Sequence, residues 1–268
     1  MSSQGQIRIG VGGWTFEPWR GVFYPDTLKQ KDELGYRSRQ LRSIEINGTY
    51  YSSFKPDSWA KWRDETPDGF VYTVKGSRFT SNRRVLAEAG ESIEKFMGQG
   101  LSELGDKLGA VFWQFAPTKK FDPDDFGAFL TLLPRSVDGV KVRHAVEVRN
   151  ETFCCPEFPA LLRKHDIANV YADHGAYPEI ADVTSDFVYV RLQTGSDDVE
   201  TAYAPKDLDL WAGRLKTWAE GGEPEGLPKV DPGFVAPARP RDVFAFIIHE
   251  GKVRAPHGAV ALQALVER

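Results

Sequence analysis

Eight short segments rich in Val, Ile, Phe and Tyr recur along the chain, most of them followed by a turn signal and a helical pattern. They run from Ile7 to Trp14, Ser43 to Tyr50, Phe70 to Gly76, Ala110 to Ala116, His144 to Asn150, Asn169 to His174, Phe187 to Gln193 and Val243 to Glu250. Helical patterns fall at Leu28 to Leu41, Ser58 to Glu65, Leu86 to Leu104, Asp124 to Leu133, Glu157 to His165, Leu208 to Glu220 and Gly258 to Val266. The stretch between Gly175 and Asp186 is too short and irregular for an eighth helix. Alternation of this kind gives parallel strands joined by crossover helices. Eight such strands fit an α/β fold of the TIM-like (β/α) barrel type better than an open doubly wound sheet.

A length of 268 residues agrees with one such barrel, and no Gly/Ser-rich linker divides the chain, so residues 1–268 are read as a single domain. Residues 195–240 form a long connection before the last strand, with one helix and a Pro- and Gly-rich loop. A formal charge of −4 and isolated basic pairs such as Arg83-Arg84 and Lys119-Lys120 offer no broad face for tracking phosphates, which argues against duplex nucleic acid as a partner. No apolar run approaches the ~20 residues of a membrane span. Met1 to Gly5 lacks the apolar core of a signal peptide, and a cytoplasmic location is expected. The only cysteines, the adjacent Cys154 and Cys155, belong to no spaced metal motif and are read as small loop residues before Pro156.

In a barrel, side chains alternate between the helix layer and the interior, so parity assigns direction. With Ile44, Ile46, Val146 and Val148 facing the helices, Glu45, Asn47, Glu147 and Arg149 point inward. The same reading places Lys75, Gln114, Asp173, Arg191, Gln193 and His249 inside. All lie late in their strands, at the end where barrel enzymes build their sites. Three acids (Glu45, Glu147, Asp173) would then face three bases (Lys75, Arg149, Arg191), a set that can be paired in full. A salt-bridge network closing the upper layer is one reading of this cluster and a ligand site is the other. Gly10 and Gly12 share parity with Trp14 and are expected to leave room beside the charges. Trp14, Phe16, Trp19, Phe23, Tyr24, Tyr50, Tyr51 and Phe54 either stack on a ligand or build a loop minicore.

These residues carry a family resemblance that runs over nearly the whole chain. Ile9-Gly10-Val11-Gly12-Gly13-Trp14 with Gly21-Val22-Phe23-Tyr24-Pro25, Glu45-Ile46-Asn47-Gly48-Thr49-Tyr50-Tyr51, Thr66-Pro67-Asp68-Gly69-Phe70 leading to Val74-Lys75-Gly76, Lys107-Leu108-Gly109 before Phe115-Ala116-Pro117, and Val146-Glu147-Val148-Arg149-Asn150 together resemble the YecE-like family of TIM-barrel proteins, a domain of unknown function. The resemblance implies a pocket containing Glu45, Asn47, Lys75, Glu147, Arg149 and Arg191 and supplies no reaction. Many members end the seventh strand with Arg-X-His-Gly, where this chain has Arg191-Leu192-Gln193-Thr194. Many also carry a paired Asn in the eighth strand, where Phe246-Ile247-Ile248-His249 stands here, so a divergent branch is implied.

Three functions are compatible with such a pocket. In the first, Arg149, Arg191 and Lys75 grip a small phosphorylated or carboxylated metabolite while Glu147 or Glu45 acts as general acid or base. Trp14, Asn47, Tyr50, Gln114, Asp173, Gln193 and His249 would complete the binding surface, and no organic cofactor is expected. The second is a divalent-metal hydrolase or isomerase drawing ligands from Glu45, Glu147, Asp173, His174 and His249, a set that the inward cations oppose. The third is a ligand-binding or regulatory protein without catalysis. No Gly-X-Ser-X-Gly, P-loop or HExxH motif is present, and Gly10-Val11-Gly12-Gly13 lacks the full dinucleotide fingerprint. Parity gives no oligomeric state.

Overall fold

A computed structural model describes residues 5–268 apart from the side chain of His249, so the expectation placed on that side chain lies outside the described residues. Strands β1 (Ile7–Gly12), β2 (Ser43–Ile46), β3 (Val71–Lys75), β4 (Leu108–Gln114), β5 (His144–Glu147), β6 (Ala168–Asp173), β7 (Phe187–Thr194) and β8 (Asp242–Glu250) pair in parallel with their sequence neighbours. β8 then pairs with β1 and closes the barrel. The eight parallel strands and the surrounding helices are the TIM-like architecture that the alternation of patterns predicts.

The helices are α1 (Glu33–Ser38), α2 (Pro56–Glu65), α3 (Arg78–Ser81), α4 (Gly90–Met97), α5 (Pro123–Leu132), α6 (Glu157–Lys164), α7 (Pro205–Ala219) and α8 (Ala255–Val266). Pro56, Pro123, Pro205 and Pro256 sit in the first turns of α2, α5, α7 and α8, where a fixed φ preorganises the start and the missing N–H costs nothing. Two expected helices are shorter than their patterns. The first spans only α1, after a single 3-10 turn at Gln30–Asp32. The third is cut by Gly98 and by Gly100, whose φ of 110° is left-handed, into α4 and the 3-10 segment Leu101–Lys107.

Three layers of packing follow from parity. Ile44, Val74, Val111 and Val146 join one apolar layer against the helices, and Val11, Val190, Leu192 and Ile247 join another. Val71, Ala110, Phe112, Ala145, Ala168, Val170, Phe187, Tyr189, Phe244, Phe246 and Ile248 fill the barrel itself. The N-terminal end is plugged by Asp242, which accepts from Arg143 Nη1 at 3.0 Å and lies 3.4 Å from Arg8 Nη1, with both guanidinium groups over the ring of Phe244. The barrel is thus a packed core, and its chemistry is confined to its ends.

Gly10 and Gly12 do not open the cavity expected of them. A Cβ on Gly10 would lie 2.3 Å from the carbonyl oxygen of Ser43 and 2.9 Å from the ring of Phe246, and one on Gly12 would lie 2.9 Å from Asn47 Nδ2. Glycine here lets β1 approach β2 closely, and the space is filled by Phe246, Ile248 and Asn47. The aromatic cluster after β1 is mostly a minicore: Trp19 and Tyr24 are buried, and Phe23 packs edge-on against Tyr36 and His257.

No helix follows β6. Its outer face is covered by α7, where Trp211 and Trp218 meet Tyr171, and the adjoining segment 180–183 docks on the long loop before β8. In that contact the Asp182 carboxylate accepts from the Val230 and Asp231 amides at 2.8 and 3.1 Å, and the Ala181 amide donates to Pro228. From α6, Arg163 pairs with Asp231 and lies 3.8 Å from the ring centroid of Phe234.

Candidate active site

The mouth of the barrel is organised around Arg191. Tyr189, Arg191 and Gln193 share the inward face of β7, one step apart, and Arg191 is 95 % buried. Its Nε donates to Glu45 Oε2 at 3.0 Å and its Nη2 to Glu45 Oε1 at 3.1 Å, a two-pronged clamp across the barrel from β7 to β2. Its Nη1 donates to Glu147 Oε2. One guanidinium therefore bridges two carboxylates, both almost wholly buried. Glu45 is further held by the Tyr189 hydroxyl at 2.8 Å and by Asn47 Nδ2 at 3.0 Å, and Tyr189 shares a hydrogen bond with Thr73.

A second arm runs from Glu147 along β4 to β3. Glu147 Oε1 accepts from Gln114 Nε2 at 2.7 Å and from Arg149 Nε at 2.7 Å, while Lys75 Nζ donates to Gln114 Oε1 at 2.8 Å. The amide of Gln114 is oriented by its neighbours, oxygen toward the ammonium and nitrogen toward the carboxylate. Lys75 lies 4.5 Å from the ring centroid of Tyr50, and Arg149 lies 4.7 Å from that of Tyr177. Phe112 forms a floor beneath Lys75 and Arg191, 5.8 and 5.0 Å from their charged groups.

Burial raises the Glu147 carboxyl, but Arg191, Arg149 and Lys75 together outweigh it and hold the group at about 2. Glu147 is ionised at neutral pH. Burial also opposes the charge on Arg191, yet Glu147 and Glu45 keep that group above its ordinary range. For Lys75 the balance falls the other way. Burial first, then the charge of Arg191, bring its ammonium down to about 8 against the pull of Glu45 and Glu147. The Tyr189 hydroxyl is pushed well up by burial and by Glu45, and so remains a donor.

Of the residues that parity places inside, Glu45, Asn47, Lys75, Gln114, Glu147, Arg149 and Arg191 meet in this one network. Tyr50 borders it through Lys75, and its hydroxyl accepts from Asn82 Nδ2 at 3.2 Å. Gln193 is 98 % buried above Arg191, with no hydrogen-bond partner for its Nε2 among the described residues. Asp173 does not join them. Along β6 it shares a face with Tyr171, which packs in the helix layer, so it points away from the interior and accepts from the Thr194 hydroxyl at 2.7 Å. Trp14 also stands apart, stacked edge-on against Trp62 of α2 with its carbonyl accepting from Tyr24. Without Asp173 the network itself joins two carboxylates, Glu45 and Glu147, to three cationic side chains, Lys75, Arg149 and Arg191, rather than forming the balanced set of six.

Parity could have found two further members, since Tyr189 and Thr73 alternate with Arg191 and Lys75. Tyr177 carries no such signal, because it belongs to the irregular segment after β6. Among the described residues, no three His, Cys, Asp or Glu side chains form a group able to hold a metal ion. A cleft of about 300 Å³ beside the mouth is lined by Thr49, Tyr51, Ser77, Phe79, Arg83 and Lys95. It adjoins the network through Thr49, whose hydroxyl donates to the Lys75 carbonyl at 2.6 Å.

The UPF0759 protein YecE of Escherichia coli (strain K12) is 30% identical over 142 residues, 52% of this chain and 48% of the relative, so the chain spans about half the length of the curated relative it matches. The crystal structure of a DUF72 family protein, TM1631 of Thermotoga maritima MSB8, superposes with a TM-score of 0.72 at 20% identity, covering 98% of this chain and all of that one. A second, EF0366 of Enterococcus faecalis V583, gives 0.69 at 13% identity over the full length of both. The structure named SacUVDE gives 0.57 at 8% identity, covering 97% of this chain and 99% of that one. At such identities the likeness is one of fold. The family described as Protein of unknown function DUF72 matches residues 8–268, and the chain belongs to it.

Proposed function

We propose that the protein is an enzyme acting on a small phosphorylated or carboxylated metabolite bound at the C-terminal mouth of the barrel. The observation that carries this reading is that three cationic side chains share two carboxylates in this network, with donors left over for a ligand. Arg191 spends its Nε, Nη1 and Nη2 on Glu45 and Glu147, whereas Arg149 uses its Nε on Glu147 and, among the described residues, keeps its two terminal nitrogens for an anion. Lys75 has two further protons to offer beside it, and Gln193 Nε2 adds a neutral donor. Arg191 thus acts as the brace for the carboxylates, and the grip passes to Arg149, with Lys75 next to the bound group.

Glu147, already ionised, accepts a proton rather than donating one. An anion on Arg149 would offset part of the charge that holds it at about 2 and raise its basicity when substrate is bound. Glu45, enclosed by Arg191, Tyr189 and Asn47, keeps the brace in register. A thermal-shift comparison with inorganic phosphate, pyruvate and citrate tests the grip. Wild type gains stability with at least one of these anions, and Arg149→Ala loses most of that gain. Equal stabilisation of both proteins would remove the anion site from this mouth.

A further inference from the structure

We propose that Lys75 is the reacting group of this site, an amine that condenses with the carbonyl carbon of an anionic aldehyde or ketone. The inference deepens the anion-binding reading above and rests on it for the ligand's charge.

The geometry separates Lys75 from the other two cations. Both arginines bond carboxylates directly, whereas the Lys75 ammonium bonds the neutral Oε1 of Gln114, with one amide standing between it and Glu147. It ends β3 at the mouth, where its backbone is pinned by the pairing with β4 and by Thr49. Tyr50 covers it from the loop after β2, and the Phe112 ring lies below it, 5.8 Å from its nitrogen. An amine in such surroundings gives up its proton readily, because burial and the neighbouring arginines disfavour the charged form. With the group brought to about 8, roughly a tenth of it is neutral at pH 7, against a few parts in ten thousand for an ordinary lysine.

The step balances without a cofactor. The neutral amine adds to the carbonyl carbon. One N–H proton and one proton from solvent then leave with the carbonyl oxygen as water, and a protonated C=N bond takes the place of C=O. The positive charge created on the nitrogen lies one amide from ionised Glu147, which stabilises it. Arg149 holds the anionic group of the substrate, and Gln193 Nε2, buried on the inward face of β7 and without a partner among the described residues, donates to a second polar atom.

The test uses two aldehyde probes on the full chain, pyridoxal 5′-phosphate and pyridoxal, each trapped with sodium borohydride and mapped by peptide mass spectrometry. The expected result is labelling of Lys75 about tenfold or more faster than the exposed Lys206 at pH 7.5. Its rate should rise with a midpoint near pH 8, which a merely structural lysine would not display. Inorganic phosphate is expected to slow labelling by the phosphorylated probe. If Lys75 reacts no faster than Lys206 with either aldehyde, the amine assignment is overturned. If it reacts fast with both probes and phosphate has no effect, the amine assignment stands and the anion-binding reading falls instead.

Discussion

At the scale of single residues, the site depends on one side chain that it does not offer to a ligand. Arg191 lies between Glu45 and Glu147, and both carboxylates are buried with it. Replacing it leaves two desolvated negative charges without their counter-ion, a defect that typically costs about 3–5 kcal/mol. Arg191→Met should therefore lower the melting temperature by roughly 10 °C in a protein of this size, measured by calorimetry. Arg149→Ala, whose charge is partly open to water, should lower it by much less. If the two variants melt alike, Arg191 is not the brace described here. Cys154, by contrast, is a quiet residue: burial and Glu151 push its thiol up to about 11, so it holds little thiolate at neutral pH.

At the scale of elements, β5 carries two titrating groups on opposite faces. Glu147 points into the barrel, and His144 points into the helix layer, where its Nδ1 accepts from Trp113 Nε1 at 3.2 Å and its Nε2 meets the Pro134 carbonyl at 2.7 Å. Those partners require the neutral ring protonated on Nε2. Burial, the largest cause, lowers its pKa to about 4 despite the bond to Pro134. The sign follows from linkage. Below the unfolded value of 6.5 the unfolded chain takes up a proton that the native His144 refuses, so stability is full above pH 6.5 and is lost as pH falls toward 4. The loss amounts to about 3 kcal/mol over that window. Urea titrations at pH 7 and pH 4.5 should show most of this difference in wild type and little of it in His144→Gln. A second decline belongs to Glu147 and falls lower, between its ordinary 4.5 and about 2. If the two proteins have parallel pH profiles between 7 and 4.5, the acid sensitivity of β5 does not reside in the histidine.

For the whole molecule, the barrel was legible in the sequence because its order is local: strand and helix patterns alternate, and closure adds one pairing, β8 with β1. The site was legible on β2, β3, β4, β5 and β7, where charged residues interrupt apolar ones and parity has something to read. It failed on β6, whose Val170-Tyr171-Ala172 run is apolar on both faces, so alternation could not say which way Asp173 turns. Tyr177 lay beyond any periodic signal, and the crowding at Gly10 and Gly12 depended on Phe246 and Ile248, more than 230 residues away in the chain. The missing helix after β6 also bears on the order in which the molecule is made. Its neighbourhood is finished by α7 and by residues 228–236, which are synthesised after β7, so an emerging chain carries a bare sixth strand until α7 arrives and an undocked segment 180–183 until that loop follows. Truncation before residue 220, which removes β8 and α8 with the loop, should leave an open, aggregation-prone product that binds hydrophobic dye and lacks cooperative unfolding, even though seven of the eight strands are present. The barrel's last quarter thus sets when its middle becomes safe from water.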